Sequence, residues 1–201
     1  MITIVDYGMG NLGSIRNMFK RIGAAAVITG DLEQIARAEK ILLPGVGAFD
    51  NAMLRIDESG LREVLDQKAL VERVPVLGIC LGMQLLTRSS EEGSRPGLGW
   101  VAAQTKRFPA LPGLKVPHMG WNLVELTRDS ALTGGLAGEV RFYFVHSYYV
   151  CVDDEKDQIL KAHYGLDFTA ALQHDNIYGA QFHPEKSHRF GMQLLKNFAS
   201  L

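Results

Sequence analysis

An α/β fold, built as one domain over residues 1–201, is expected from three features of the sequence. Short β-branched runs alternate with amphipathic stretches through the first half, the pattern of parallel strands joined by crossover helices. After Glu91 the texture changes to Gly and Pro punctuation between strand-like pieces, which reads as a mixed or antiparallel part added to the parallel one. The chain has 201 residues, enough for one well-filled core and too few for two comfortable ones.

In order, Ile2 to Val5 is the first strand, Leu12 to Ile22 a helix, Ala25 to Thr29 the second strand, Leu32 to Ala38 a helix and Lys40 to Leu43 the third strand. Gly60 to Glu72 is helix-like, Pro75 to Ile79 is a buried strand, and Leu81 to Arg88 is the helix that follows it. Ligands in open α/β sheets bind outside the carboxyl ends of the strands, so the loops at Asp6, Pro44 and Cys80 belong to one rim. The later strand candidates are Trp100 to Phe108, Trp121 to Leu126, Arg141 to Val152, Phe168 to Gln173 and Ile177 to Phe182. Arg189 to Phe198 closes the chain as a helix packed back on the sheet. There is no internal repeat, low-complexity tract or dividing linker.

Composition narrows the function classes. With 47% hydrophobic residues, 21% charged residues and a formal net charge of -1, nothing suggests nucleic acid or another polyanion as partner. The apolar stretch Val74 to Leu86 is broken by Pro75, Gly78 and Gly82 and is too short to span a bilayer. The chain opens on strand-like Ile2-Thr3-Ile4-Val5 without a basic leader, so a cytoplasmic location is expected. Its two cysteines, Cys80 and Cys151, form no Cys-x-x-Cys pair, which argues against a disulfide framework or a cysteine-rich zinc site.

Cys80 sits in Val76-Leu77-Gly78-Ile79-Cys80-Leu81-Gly82-Met83-Gln84, between two glycines, after a buried strand and before a helix. This is the spacing of a nucleophile elbow with Cys in place of Ser. The sharp turn needs small neighbours, and it leaves the sulfur at a helix N-terminus. There unpaired amides favour a thiolate and offer the Leu81 N–H to a developing oxyanion. The plain alternative is a small buried hydrophobe ending a strand, but strand, flanking glycines and helix all coincide here. Cys151, in Val150-Cys151-Val152, has no such turn and reads as structural.

A thiol nucleophile needs a base, usually a histidine remote in sequence. Of six histidines, His183 in Gln181-Phe182-His183-Pro184-Glu185 stands at the end of an expected strand. Pro184 biases it towards an extended conformation, in which residues two apart face the same way. Glu185 is then placed to hold the imidazole from behind, as the third member of a triad does. Without Cys80, a strand-ending His-Pro turn beside an unrelated carboxylate would be the simpler reading.

Together, Gly78-Ile79-Cys80-Leu81-Gly82-Met83-Gln84 and Gln181-Phe182-His183-Pro184-Glu185-Lys186-Ser187 resemble the class I glutamine amidotransferase family. Within it, Pro44-Gly45-Val46-Gly47, Pro117-His118-Met119-Gly120-Trp121-Asn122 and Phe142-Tyr143-Phe144-Val145-His146-Ser147-Tyr148 resemble the branch of glutaminase subunits that serve imidazole glycerol phosphate synthases. The resemblance runs from Asp6 to the C-terminal helix. It implies a flavodoxin-like open sheet, no cofactor, and glutamine hydrolysis through a glutamyl thioester on Cys80, with His183 moving the protons. It also implies a second oxyanion donor at Val46 or Gly47; read from its residues alone, that segment is equally a plain turn after a strand. Gln84, one helical turn past Cys80, and the strand residues His146, Ser147 and Tyr148 are implied contacts of the bound glutamine. His188 departs from the family pattern, which more often has an amide side chain there. Its spacing to His183 and Glu185 does not match a helical His-Glu-x-x-His zinc site, and no metal is expected.

The resemblance further implies a partner, a (β/α)8-barrel cyclase that takes up the ammonia in a heterodimer of histidine biosynthesis. Asn11, Met119, Trp121, Tyr143 and Lys186 are the interface candidates. From composition alone, Met119 and Trp121 are as readily core residues. A different ammonia-accepting synthase, sugar-modifying or anthranilate-forming, is the alternative within the family. The rival from another class is a dinucleotide-binding regulator. Gly8-Met9-Gly10-Asn11-Leu12-Gly13 matches Gly-x-Gly-x-x-Gly after a strand and before a helix, with Asp31 near the usual acidic position. Against it, the chain has no second mononucleotide-binding half of similar texture.

Overall fold

The computed structural model describes residues 1–201. Its first half is the expected alternation: β1 (Ile2–Val5), α1 (Leu12–Arg21), β2 (Ala26–Thr29), α2 (Leu32–Ala36), β3 (Lys40–Gly45), α3 (Phe49–Glu58), α4 (Leu61–Asp66), β4 (Val76–Cys80) and α5 (Leu81–Leu85). A π-type turn over Gln67–Val71 extends α4. The second half holds β5 (Ala103–Arg107), β6 (His118–Leu126), β7 (Arg141–His146), β8 (Tyr148–Val152), β9 (Gln158–His163), β10 (Asp167–His174), β11 (Ile177–Ala180) and α6 (His188–Ser200). No helix is long and apolar enough to cross a membrane.

The strands join in the order β2-β1-β3-β4-β11-β10-β9-β6-β7, with β8 pairing β10 and β5 pairing β8. The pairs from β2 to β11 are parallel and the remainder antiparallel. Strand residues alternate between the two faces, which is why the buried side chains divide into two cores. Ile2, Ile4, Leu42 and Leu77 meet Ile15 and Phe19 of α1 and Leu194, Leu195 and Phe198 of α6 on one face. Val5, Ile41, Leu43 and Val76 meet Ile35, Phe49, Met53, Ile56, Leu61 and Leu65 from α2, α3 and α4 on the other.

Several boundaries differ from those expected. Helix α3 was not anticipated, although Phe49, Ala52, Met53 and Ile56 are buried at helical spacing. Strand β9 was also missed; its Lys161 stays near solvent, bridging Glu125 at 3.4 Å and Asp167 at 3.3 Å, and dilutes the apolar run. The stretch Arg141 to Val152 is two strands broken at Ser147: β7 pairs with β6, whereas β8 pairs with β5 and β10. The strand expected from Trp100 starts only at Ala103, because the Trp100 amide returns to Leu86 O and its indole N–H donates to Asp66 at 2.6 Å.

Candidate active site

Asp6, Pro44 and Cys80 do lie along one rim, at the carboxyl ends of β1, β3 and β4. Cys80 has φ 54 and ψ -110, a conformation in which a non-glycine residue is strained, and α5 starts at the next residue. The glycines on either side make this bend possible. A Cβ on Gly82 would stand 1.9 Å from Leu43 O, and one on Gly78 would stand 2.6 Å from Gly82 O. Cys80 as a whole is left 7% exposed at the edge of the core. Helix α5 is one short segment rather than the longer Leu81 to Arg88 helix expected, because Thr87 caps it by donating to Gln84 O at 2.8 Å. The Leu81 amide still lies in its first turn, where no intrahelical acceptor exists.

His183 ends the segment after β11, and its backbone N–H donates to Tyr143 O at 2.9 Å. Its Nδ1 pairs with Glu185 Oε1 at 2.8 Å, and the Cys80 sulfur lies near enough to favour a charged ring, although the hydrogen-bond partners of that sulfur are Val145 O at 3.8 Å and Gln181 Nε2 at 3.9 Å. Burial works against a charged ring, but the nearby Cys80 sulfur and the bond to Glu185 win and raise its pKa to about 9. The other oxygen of Glu185 is buried without a partner, so the carboxylate has little besides this imidazole to balance it.

Cys80 and His183 open on a cavity of about 360 Å³ whose lining also includes Val46, Gly47, Leu81, Gln84, Glu92, His146, Ser147 and Tyr148. Every residue proposed from sequence for the oxyanion hole or for glutamine contact is therefore on one wall or another of the same cavity. Gln84 is buried rather than on a helix surface, and its Nε2 donates to Tyr148 O at 3.0 Å and Gln181 Oε1 at 3.2 Å. His146 is locked by its Nδ1, which donates to Tyr148 O at 2.7 Å; its Nε2 meets His118 Nδ1 at 2.9 Å. Burial keeps both rings neutral, with pKa about 3 for His146 and about 4 for His118.

A family model described as "Glutamine amidotransferase class-I" matches residues 3–200. The chain belongs to the class I glutamine amidotransferases. Among its relatives, one from Methanococcus maripaludis is 53% identical over 198 residues, 98% of each chain, and one from Pseudomonas aeruginosa is 51% identical over 201 residues, 100% of each. Both are named imidazole glycerol phosphate synthase subunit HisH 2, and a Bdellovibrio bacteriovorus protein named subunit HisH is 50% identical over 204 residues, 100% of each chain. Among solved structures, one described as a glutamine amidotransferase superposes with a TM-score of 0.77 at 20% identity, over 100% of both chains. A glutamine amidotransferase from Thermotoga maritima gives 0.67 at 15% identity, over 99% of this chain and 82% of that one.

One residue near Cys80 carried no sequence signal, and a second stood in the His183 motif without a role assigned to it. Glu92 enters the cavity from the loop after α5, its Oε2 accepting from Phe49 N at 2.9 Å, and burial raises its pKa. Gln181 is fully buried, and its Nε2 points at the Cys80 sulfur from 3.9 Å. Their contacts, with Phe49 and with Cys80, arise by tertiary folding, so no local spacing reveals them.

The interface candidates are distributed as follows. Met119 and Trp121 are 65% and 46% exposed, which overturns the reading of them as core residues; with Leu123 they form the outward side of β6. Tyr143 is half-buried and bridges this face to the cavity, its ring 6.0 Å from that of Trp121 and 5.8 Å from the Lys186 ammonium. Lys186 also lines the cavity. Asn11 is exposed and caps α1 by accepting from Ser14 N at 3.4 Å. The rival nucleotide reading loses its footing here. The third glycine of such a fingerprint serves close helix packing, yet a Cβ on Gly13 would meet nothing within 4 Å. Asp31 is engaged as the cap of α2, accepting from Gln34 N at 2.8 Å.

Proposed function

We propose that this amidotransferase is the glutaminase subunit of an imidazole glycerol phosphate synthase, hydrolysing glutamine on Cys80 and handing the ammonia to a cyclase subunit. The observation that carries the reading is the strained Cys80 elbow facing the His183–Glu185 pair across one cavity. Relatives at about half identity over the full length bear the name of that synthase subunit.

The Cys80 sulfur attacks the side-chain carbonyl carbon of glutamine, and its proton resides on His183. The carbonyl oxygen becomes an oxyanion received by the Leu81 amide and by Val46 or Gly47. Collapse breaks the C–N bond, and His183 protonates the leaving nitrogen to release ammonia and leave a thioester. Water then attacks with His183 as base, the C–S bond breaks, and glutamate leaves. Glu185 holds the ring and balances its charge. Glu92 is the acidic group in the cavity suited to the α-ammonium of glutamine, while Gln84, His146, Ser147 and Tyr148 supply the wall.

Ammonia released into neutral water would be protonated and lost as a nucleophile, so a sheltered route to an acceptor is required. The cavity adjoins the exposed face of β6 through Lys186 and Tyr143, and that face, with Asn11 on the same molecule's rim, is the surface we assign to a (β/α)8-barrel cyclase. The deciding assay measures glutamate release by this chain alone, with the cyclase, and with cyclase plus its nucleotide substrate. A large rise in the third case is expected. Release that ignores the cyclase would redirect the assignment to another ammonia-accepting synthase, and no release in any case would reject it.

A further inference from the structure

We propose that Tyr7 is a positioning residue for the oxyanion turn: its hydroxyl holds the Pro44 carbonyl and so fixes the Val46–Gly47 segment against Cys80. The proposal rests on the glutaminase reading above and assigns a task to the glycine-rich loop after β1.

The turn needs such a support. Pairing of β1 with β3 stops at Ile4–Leu42, so Pro44 lies beyond the reach of that ladder. Proline has no N–H of its own to give to a neighbouring strand. On this β1 side, while β4 still pairs with Pro44 and Gly45 on the other, the buried Tyr7 hydroxyl donates to Pro44 O at 2.5 Å. The phenol also packs closely against Gly45. A Cβ on Gly45 would stand 2.7 Å from Tyr7 Oη, 2.9 Å from Leu81 Cβ and 3.0 Å from Gly82 N, so Gly45 is squeezed between the tyrosine and the start of α5.

The following residues continue the contact. Gly47 has φ +109, and a Cβ added there would lie 2.8 Å from the methyl of Met9. One added to Gly10 would lie 3.4 Å from Pro44 Cβ. The loop from Tyr7 to Gly10 thus follows the outer side of Pro44–Gly47 while Cys80 and Leu81 face its inner side. Burial and the nearby Cys80 sulfur both raise the Tyr7 pKa well above its ordinary value, so the hydroxyl stays a donor throughout the working pH range.

Tyr7→Phe keeps the ring and deletes only the donor, which separates positioning from packing. Displacing an oxyanion donor is a smaller loss than removing it, which costs roughly 10²- to 10³-fold in kcat. For the chain assayed with its cyclase and nucleotide substrate, kcat for glutamate release should fall about tenfold or more, with KM for glutamine within about twofold. Alkylation of Cys80 by iodoacetamide, which needs the thiol and not the turn, should keep its rate, as should synthesis from added ammonia. An unchanged kcat, or a parallel loss of kcat and alkylation rate, overturns the proposal. If Tyr7→Phe does not fold, Met9→Ala takes its place: kcat should fall with KM and alkylation kept, and an unchanged kcat overturns the proposal. Wild-type chain that releases no glutamate would indict the glutaminase reading itself. An active wild type matched by Tyr7→Phe would remove Tyr7 alone.

Discussion

Gly45 is the ladder partner of Cys80 across the parallel β3–β4 pair, which brings the Val46–Gly47 turn level with the sulfur. Two adjacent strands of a parallel sheet thus deliver the Cys80 sulfur and the candidate oxyanion amides to the same height without any long-range adjustment. The close approach depends on missing side chains. Gly82→Ala would force a methyl to 1.9 Å from Leu43 O, a clash with backbone that no rotamer relieves. We expect this variant to lose roughly 3 kcal/mol or more of stability, read from its denaturant midpoint. A midpoint equal to that of the wild type would show that β3 and α5 are not packed as described.

Cys80→Ala should abolish glutamine-dependent synthesis by the complex while added ammonia still supports it. The substitution removes the nucleophile and leaves the partner's ammonia-using site intact. Loss of both activities, or of neither, would count against a separate glutaminase step.

His183→Ala should lower glutaminase turnover by about 10²- to 10⁴-fold, the usual range for a general acid–base group. Glu185→Ala should lower it less, because the carboxylate orients and balances the ring 2.8 Å away without carrying the proton. Steady-state kinetics on the two variants would decide, and an equal or reversed ranking removes Glu185 from this role.

The raised pKa of His183, about 9, has a definite sign. The proton that must reach the leaving nitrogen is lost as pH climbs through that value, so kcat/KM should fall on the alkaline side with an apparent pKa near 9. The same shift stabilises the fold fully below the unfolded histidine value of about 6.5 and ceases to do so as pH rises through about 9. A pH–rate profile still flat well above that pH would contradict the pairing.

His118 and His146 behave oppositely. With Nδ1 of His146 donating to Tyr148 O, its Nε2 must accept from His118, and a proton added there would set two N–H groups face to face. Their folded pKa values, about 4 and about 3, lie below the unfolded value, so their stabilising contribution is present above about pH 6.5 and is lost as pH falls through the folded values. Thermal melts should show a decline between about pH 6.5 and about pH 4 that is shallower in His118→Phe. Equal slopes would place the acid sensitivity elsewhere.

Much of this was legible in the amino acids, and the reasons differ by residue. The parallel strands announce themselves because both faces are buried, which leaves nearly unbroken apolar runs such as Ile41 to Leu43 and Val76 to Ile79. The elbow is legible because Gly78 and Gly82 are demanded by contacts within one local bend. His183 and Glu185 are legible as a pair, though not through the extended chain expected: His183 itself is extended, but Pro184–Lys186 forms a 3-10 turn, and that turn brings the carboxylate to the ring. Helix α3 was missed although its apolar spacing is regular, since the preceding Gly47-Ala48 turn offers no side-chain cap to mark its start. Glu92 and Tyr7 were silent, and Gln181 stood in the His183 motif without a role, for a different cause: each acts on a group at least 37 residues away, and only folding creates that proximity. The Gly8 to Gly13 loop is the reverse case, a familiar spacing set aside as a rival reading, in which Gly8 packs against Arg55, Gly10 against Pro44, and Gly13 against nothing.

Strand β11 lies between β4 and β10 although it is the last strand to be made. During synthesis, the parallel block must therefore wait with one side of β4 unpaired until Ile177–Ala180 has left the ribosome. Joining that edge closes a loop of about a hundred residues between Cys80 and Ala180, a contact of long sequence separation and so a slow step in assembly. A chain that stalls before this point exposes an open hydrogen-bonding edge to its neighbours on the polysome, making premature termination a source of aggregates rather than of a smaller working protein.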